Sequence, residues 1–206
     1  MLLQTTIAPP TGSFNNGQVA PVPGGKQGQP IIDMLHGEYY AAAYNGKLFK
    51  ASVTGVTIPA NGAAVAGKFA LVNPAGSLVN AELVSTNISF NATATAVFFA
   101  YYWQNIILNV PTSPTTITAL SGMVGAAAGN IVQAYSALTA AAATTPALYE
   151  LIMAEQSTSA LGQTIIESMH QGRIIIPPGI GLWLNASAAG PTTGANVTVT
   201  WTEWPV

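Results

Sequence analysis

Cysteine is absent from the 206 residues, and charge is nearly so: five Lys and Arg with seven Asp and Glu make up 6% of the chain. The missing thiols exclude disulfides, thiolate metal sites and a cysteine nucleophile. Between Glu82 and Glu150 lie 67 consecutive residues, 83 to 149, without Asp, Glu, Lys or Arg. A soluble domain commonly carries about a quarter of its residues as charges. Solubility here rests on Asn, Gln, Ser and Thr, which are buried against a neighbour at far lower desolvation cost than Lys or Glu. Such a composition suits a chain that covers much of its outside with other subunits. The basic residues Lys26, Lys47, Lys50, Lys68 and Arg173 form no stripe, so direct binding to nucleic acid is not expected.

Export and membrane signals are weak too. The first ten residues lack both the basic stretch and the long apolar stretch of a signal peptide, which fits synthesis in the cytoplasm. Ala119 to Ala143 has the length of a membrane span, but it is mainly Ala, Gly, Ser and Thr, with Asn130 and Gln133 near its centre. Its second half, Ile131 to Thr139, alternates as a half-buried strand does, and no membrane partner is expected.

What is present reads as an arm and a β body. Residues 1–32 hold Pro9, Pro10, Pro21, Pro23 and Pro30 among Gly, Asn and Gln, the composition of an extended arm. Residues 33–206 read as one all-β domain, a jelly-roll-like antiparallel β-sandwich. Tyr39 to Tyr44, the pair Asn45-Gly46, and Lys47 to Thr54 predict a hairpin, because Asn-Gly supplies the positive φ angles of a tight turn. Further strands are expected at Lys68–Val72, Leu78–Phe90, Thr95–Trp103, Asn130–Thr139, Ala147–Ala154, Gln163–Met169, Arg173–Ile176, Gly181–Ser187 and Asn196–Trp204. Helix signals are confined to Ala140–Ala143, cut off by Thr144-Thr145-Pro146, and to the stretch from Glu150 to Glu155.

Patterns that carry chemistry are sparse. His36 and His170 each have an acid three residues earlier, Asp33 and Glu167, but no G-x-S-x-G supplies a nucleophile, and both histidines read as polar surface residues. His36-Gly37-Glu38 puts two donors on one strand face, and a metal site would need at least one more. Glu150, Glu155 and Glu167 are the acids available for glycoside cleavage, with no spacing that selects a pair. Phosphate-cradling loops are missing. No enzyme activity and no cofactor is expected. Four N-x-[ST] sequons, beginning at Asn87, Asn91, Asn185 and Asn196, are what a chain rich in Asn, Ser and Thr produces by chance.

Gly172 to Asn185 is the most specific local pattern: an apolar strand, the turn Pro177-Pro178-Gly179, and a second apolar strand. It is similar to the second cupin motif, except that Leu182 stands where that family has a metal-binding His, which leaves the shape without the metal chemistry. Aromatic residues cluster at Tyr39-Tyr40, at Phe98-Phe99, at Tyr101-Tyr102-Trp103, and at Trp201 with Trp204. Both faces of Phe98–Trp103 are apolar, as in a strand covered by a core on one side and a neighbour on the other. Trp201 and Trp204 fall on opposite faces of one strand. Tyr101, Tyr102, Trp103, Trp201 and Trp204 are therefore the candidate interface residues.

Four stretches carry a resemblance: Gly37 to Phe49, Leu71 to Ser77, Gly172 to Gly179, and Trp201 to Val206. Through them the chain resembles small jelly-roll structural proteins of tailed-bacteriophage virions. The resemblance implies a head decoration or cement protein, a homotrimer on the capsid surface whose partners are the major capsid protein and copies of itself. The alternative is a carbohydrate- or receptor-binding module of a vertex or tail fibre, with Tyr101, Tyr102 and Trp103 beside Gln104 and Asn105 as its site.

Overall fold

The computed structural model describes residues 37–56, 58, 69–90, 97–105, 111–140, 147–155, 165–186 and 195–206. The chain divides into two units, Met1–Tyr40 and Ala41–Val206. The expected arm, its boundary near residue 32, and His36 lie outside the described residues.

Tyr39 to Tyr44 is the first departure from expectation. Tyr40–Tyr44 is a short helix, α1, rather than the first strand of a hairpin. Ala41-Ala42-Ala43 is the best helix-forming triplet available, and Asn45-Gly46 ends the helix instead of turning a hairpin. The Lys47 N–H donates to the Ala42 carbonyl at 2.7 Å and the Gly46 N–H to the Ala43 carbonyl at 3.1 Å. With Gly46 at φ 64° this is a Schellman cap, which satisfies carbonyls that the helix leaves open.

Among the described residues the strands that follow are β1 (Leu48–Val56), β2 (Ala70–Val72), β3 (Val79–Phe90), β4 (Val97–Asn105), β5 (Pro111–Ile117), β6 (Leu120–Ser121), β7 (Gln133–Ala140), β8 (Ala147–Glu155), β9 (Ile165–Ile176), β10 (Ile180–Ala186) and β11 (Ala195–Pro205). They form two antiparallel sheets, ordered β6-β1-β11-β3-β9 and β5-β7-β2-β10-β4-β8. The two sheets pack against each other over a shared core, so the expected all-β antiparallel sandwich is the fold.

Period-two alternation sets which side chains enter that core. On β11, Ala195, Val197, Val199 and Trp201 are buried, while Asn196, Thr198 and Thr200 between them are partly exposed. Phe49, Leu71, Leu83, Ile88, Phe99 and Leu184 meet them from neighbouring strands. Pro177-Pro178-Gly179 turns β9 into β10 as expected, with Gly179 at φ 83° and the Ile180 N–H donating to the Pro177 carbonyl at 3.3 Å. Asn73, just after β2, ties the sheets together at this end. Its side-chain amide donates to the carbonyls of Val79 on β3 and Ile176 on β9, both at 2.8 Å.

Two further differences have physical causes. The described part of the expected strand Gln163–Met169 and the expected strand Arg173–Ile176 belong to one strand, β9 (Ile165–Ile176), in which Gln171 and Gly172 take positive φ. The pairing with β3 jumps from Met169 opposite Ser85 to Ile174 opposite Leu83, so the intervening residues bulge out of register. β5 was hidden by Pro111 and Pro114, which a strand tolerates at a sheet edge, where β5 lies. The expected strand Ala147–Ala154 is present as β8, and the stretch from Glu150 to Glu155 is strand rather than helix.

Candidate functional site

The expected interface residues divide between core and surface. Tyr101 and Trp201 point into the main core, and Trp201 packs on Phe49 with ring centroids 5.9 Å apart. Tyr102 lies on the other face of β4 and is buried with Ala70, Val72, Ala100 and Trp183. β4 is thus covered on both faces within the chain, and Tyr101, Tyr102 and Trp201 are unavailable to a partner. Trp103 and Trp204 are exposed.

The second histidine is not a surface residue. His170 is buried in the β9 bulge, 3.3 Å by Nε2 from the Thr86 hydroxyl, which in turn bonds the Tyr101 hydroxyl. The His170 and Tyr101 rings meet edge to face at 5.7 Å. Burial lowers the His170 pKa below its usual value; Glu150 opposes that shift and Arg173 adds to it. Burial likewise pushes the Tyr101 phenol up, against its bond from Thr86 and with a smaller push from Glu150. These groups are buried. Among the described residues no three His, Cys, Asp or Glu side chains gather as metal ligands, and no helix is long and apolar enough to cross a membrane.

The exposed surface that stands out is one edge of the sandwich. β8 ends one sheet and β9 ends the other on the same side. Leu148, Tyr149 and Leu151 on β8, Met169 and Ile175 on β9, and Trp103 on β4 are each about half exposed. Alternation explains Ile175: Ile174 and Ile176 fill the core, so the middle residue of the triplet faces out. β8 slips register against β4 near Ile152 and Tyr149, the kind of irregularity that guards a sheet edge against strand addition. The ion pair Arg173–Glu150 crosses it from β9 to β8, and Glu167 is exposed farther along β9.

Within this edge, where the two sheets part, lies a cavity of about 210 Å³. Trp103, Tyr149, Ile175 and Pro177 stand with Ile174, Ile176, Ile180 and Leu182 around it, and every one of these side chains is apolar or aromatic. Small-molecule sites run to about 300–1,000 Å³ and include a few well-placed polar groups. This cavity is smaller, and the only polar side-chain groups among its lining residues are the Tyr149 phenol and the Trp103 indole N–H.

A second apolar group sits on the opposite edge. The loop from β6 to β7 exposes Leu120, Met123, Val124 and Ile131, with Val124 99% exposed. Gly125 at φ 86° and a 3.1 Å bond from the Ala126 N–H to the Met123 carbonyl close a turn with Val124 at its corner. The buried carboxylate of Glu203 fixes the base of the loop by accepting the N–H groups of Ile131 and Val132 and the indole N–H of Trp201.

Sequence reading picked out neither the β8/β9 edge nor the Val124 turn. The available signals were the Ile174-Ile175-Ile176 triplet, which must turn one residue outward, and Val124-Gly125, an apolar residue before a turn glycine. No known protein family, curated protein or solved structure matches the chain.

Proposed function

We propose that this chain is a non-enzymatic structural subunit of a larger assembly, a virion protein of the capsid decoration or cement type. The observation that carries the reading is the β8/β9 edge: six half-exposed large apolar side chains, of which Trp103, Tyr149 and Ile175 line an apolar cavity, with the ion pair Arg173–Glu150 crossing beside it. Apolar patches of this extent on a soluble chain mark places where another protein sits. The strand order supports the same reading. Leaving aside β5, β6 and β7, the orders β1-β11-β3-β9 and β2-β10-β4-β8 are those of the two four-stranded sheets of a jelly roll, an architecture common in capsid proteins.

Each subunit would lie across boundaries between capsid subunits and raise the free energy needed to separate them. Many modest contacts repeated by symmetry give high avidity. With 6% charged residues the contact depends little on salt. The carbohydrate-binding alternative loses support, because of Tyr101, Tyr102 and Trp103 only Trp103 is exposed.

The test is quantitative peptide mass spectrometry on purified virus particles from the source. Hundreds of copies per particle are expected. A dozen or so would move the chain to a vertex or tail, and none would end the virion reading.

A further inference from the structure

We propose that the bulge at residues 170–173 is an acid-operated latch on the β8/β9 edge, closed while His170 is neutral and opened when its second ring nitrogen takes a proton. The imidazole is 1% exposed. Its Nε2 lies 3.3 Å from the Thr86 hydroxyl, whereas Nδ1 is buried without a hydrogen-bond partner. A buried nitrogen without a partner costs less as a bare acceptor than as an orphaned N–H. The neutral ring therefore carries its proton on Nε2 and donates to Thr86. A second proton creates a charged N–H at Nδ1 with nothing to accept it, and such a group must find a carboxylate or water.

The surrounding groups withhold the carboxylate. Tyr101 on β4 meets the ring edge to face and remains a neutral phenol, because burial raises its pKa. Burial weighs most against a charged imidazole. Glu150 on β8, opposite Tyr101 in the ladder with β4, favours one, but it is paired with Arg173, which adds to the opposition. Glu82 on β3 accepts from the Thr202 hydroxyl and lies on the Gly172 side of the bulge, and Glu167 is exposed earlier on β9. Water is reached instead by opening β9, which yields readily here. It is an outer strand, and residues 170–173 fall between its pairs with β3, Met169 with Ser85 and Ile174 with Leu83. Gln171 holds φ 51°, a strained angle for a residue with a β-carbon, and Gly172 at φ 78° is free to hinge. Opening relieves Gln171, wets His170 and moves Met169 and Ile175, which flank the bulge on the exposed apolar edge. The latch thus sets the shape of that surface according to pH, and it acts in the isolated chain, whatever the chain joins.

Hydrogen exchange on the full chain, read by peptide mass spectrometry at about pH 7.5 and pH 5.5 and corrected for intrinsic rates, tests the latch. A ring that titrates near pH 6.5 when wet and stays neutral when buried raises the opening equilibrium by up to about tenfold across that interval. Wild type should show a several-fold rise in peptides covering the bulge and none in β1 and β11. His170→Gln should abolish the rise. Arg173→Gln, a change at the surface, should shrink it, because Glu150 is then free to neutralise the ring. Proton–nitrogen correlation spectra of wild type at the higher pH should place the His170 proton on Nε2, a reading that needs no variant to fold. Edge peptides equally protected at both pH values, a rise spread evenly over both sheets, a rise retained in His170→Gln or undiminished in Arg173→Gln, or a proton on Nδ1 would each overturn the latch.

Discussion

The backbone N–H of Ile131 donates to both carboxylate oxygens of Glu203, at 2.9 Å and 3.2 Å, and joins the loop before β7 to the last strand of the chain. Among the described residues Glu203 is the one buried acid, and its partners are N–H groups rather than a cation. Removing it leaves the part-buried N–H of Ile131 and the buried Val132 N–H and Trp201 indole without acceptors. Glu203→Ala should cost about 3 kcal/mol or more. That corresponds to a melting temperature lower by on the order of 10 °C. Thermal denaturation checks it, and a shift within about 2 °C would mean that the loop is held by something else.

Gly46 occupies the left-handed position that caps α1, and a side chain there meets open space. A substitution therefore costs backbone strain alone. Gly46→Val should destabilise by roughly 1 kcal/mol or more, since a β-branched residue resists positive φ, and Gly46→Asn should cost less. Urea denaturation of both variants reads the difference. Equal stability of the two would contradict a left-handed conformation at this position.

Strand positions were legible where alternation and turn chemistry agree, as along Ala195 to Trp201 and at Pro177-Pro178-Gly179. Local propensity misled at Tyr39 to Tyr44, where three alanines outweighed the flanking tyrosines. Proline misled at β5, because whether a proline is tolerated depends on lying at an edge, and edges are set by pairing between distant strands. The candidate surface was hidden for that same reason. Leu148, Leu151 and Ile175 read as core residues until the pairing makes β8 and β9 outer strands, and Tyr101 reads as a possible contact until β4 proves to be an inner one. The charge-poor composition pointed to assembly, but no local pattern could say which edge carries it.

His170 makes stability fall in acid. Burial, its largest influence, holds the folded-state pKa below the usual histidine value, with Glu150 opposing and Arg173 reinforcing. In the unfolded chain the imidazole takes a proton near pH 6.5, so below that pH the unfolded state binds more protons than the folded one. Its contribution is fully present above about pH 6.5 and is lost as pH falls toward the lower folded-state value. Melting temperature should drop between about pH 7.5 and pH 5.5, and His170→Gln should flatten that drop. Identical pH slopes in the two proteins would show that His170 is not responsible.

Gly122 marks where β6 gives way to the loop that carries Val124. A β-carbon built there would lie 2.7 Å from Leu48 Cδ2 and 2.9 Å from its Cβ and Cγ, closer than carbon atoms approach. The crowding comes from the stem of the Leu48 side chain as well as its tip, so a rotamer change alone does not relieve it. Gly122→Ala should destabilise by about 1–3 kcal/mol as an overpacked contact. Leu48→Ala removes the Cγ and Cδ2 contacts and leaves only the Cβ at 2.9 Å, and the double variant should therefore lose less than the two single losses added together. A double-mutant cycle by urea denaturation measures that coupling, expected at about 1 kcal/mol or more. Simple additivity would mean that the backbone around Gly122 shifts instead, and such a shift would carry the Val124 turn away from its position.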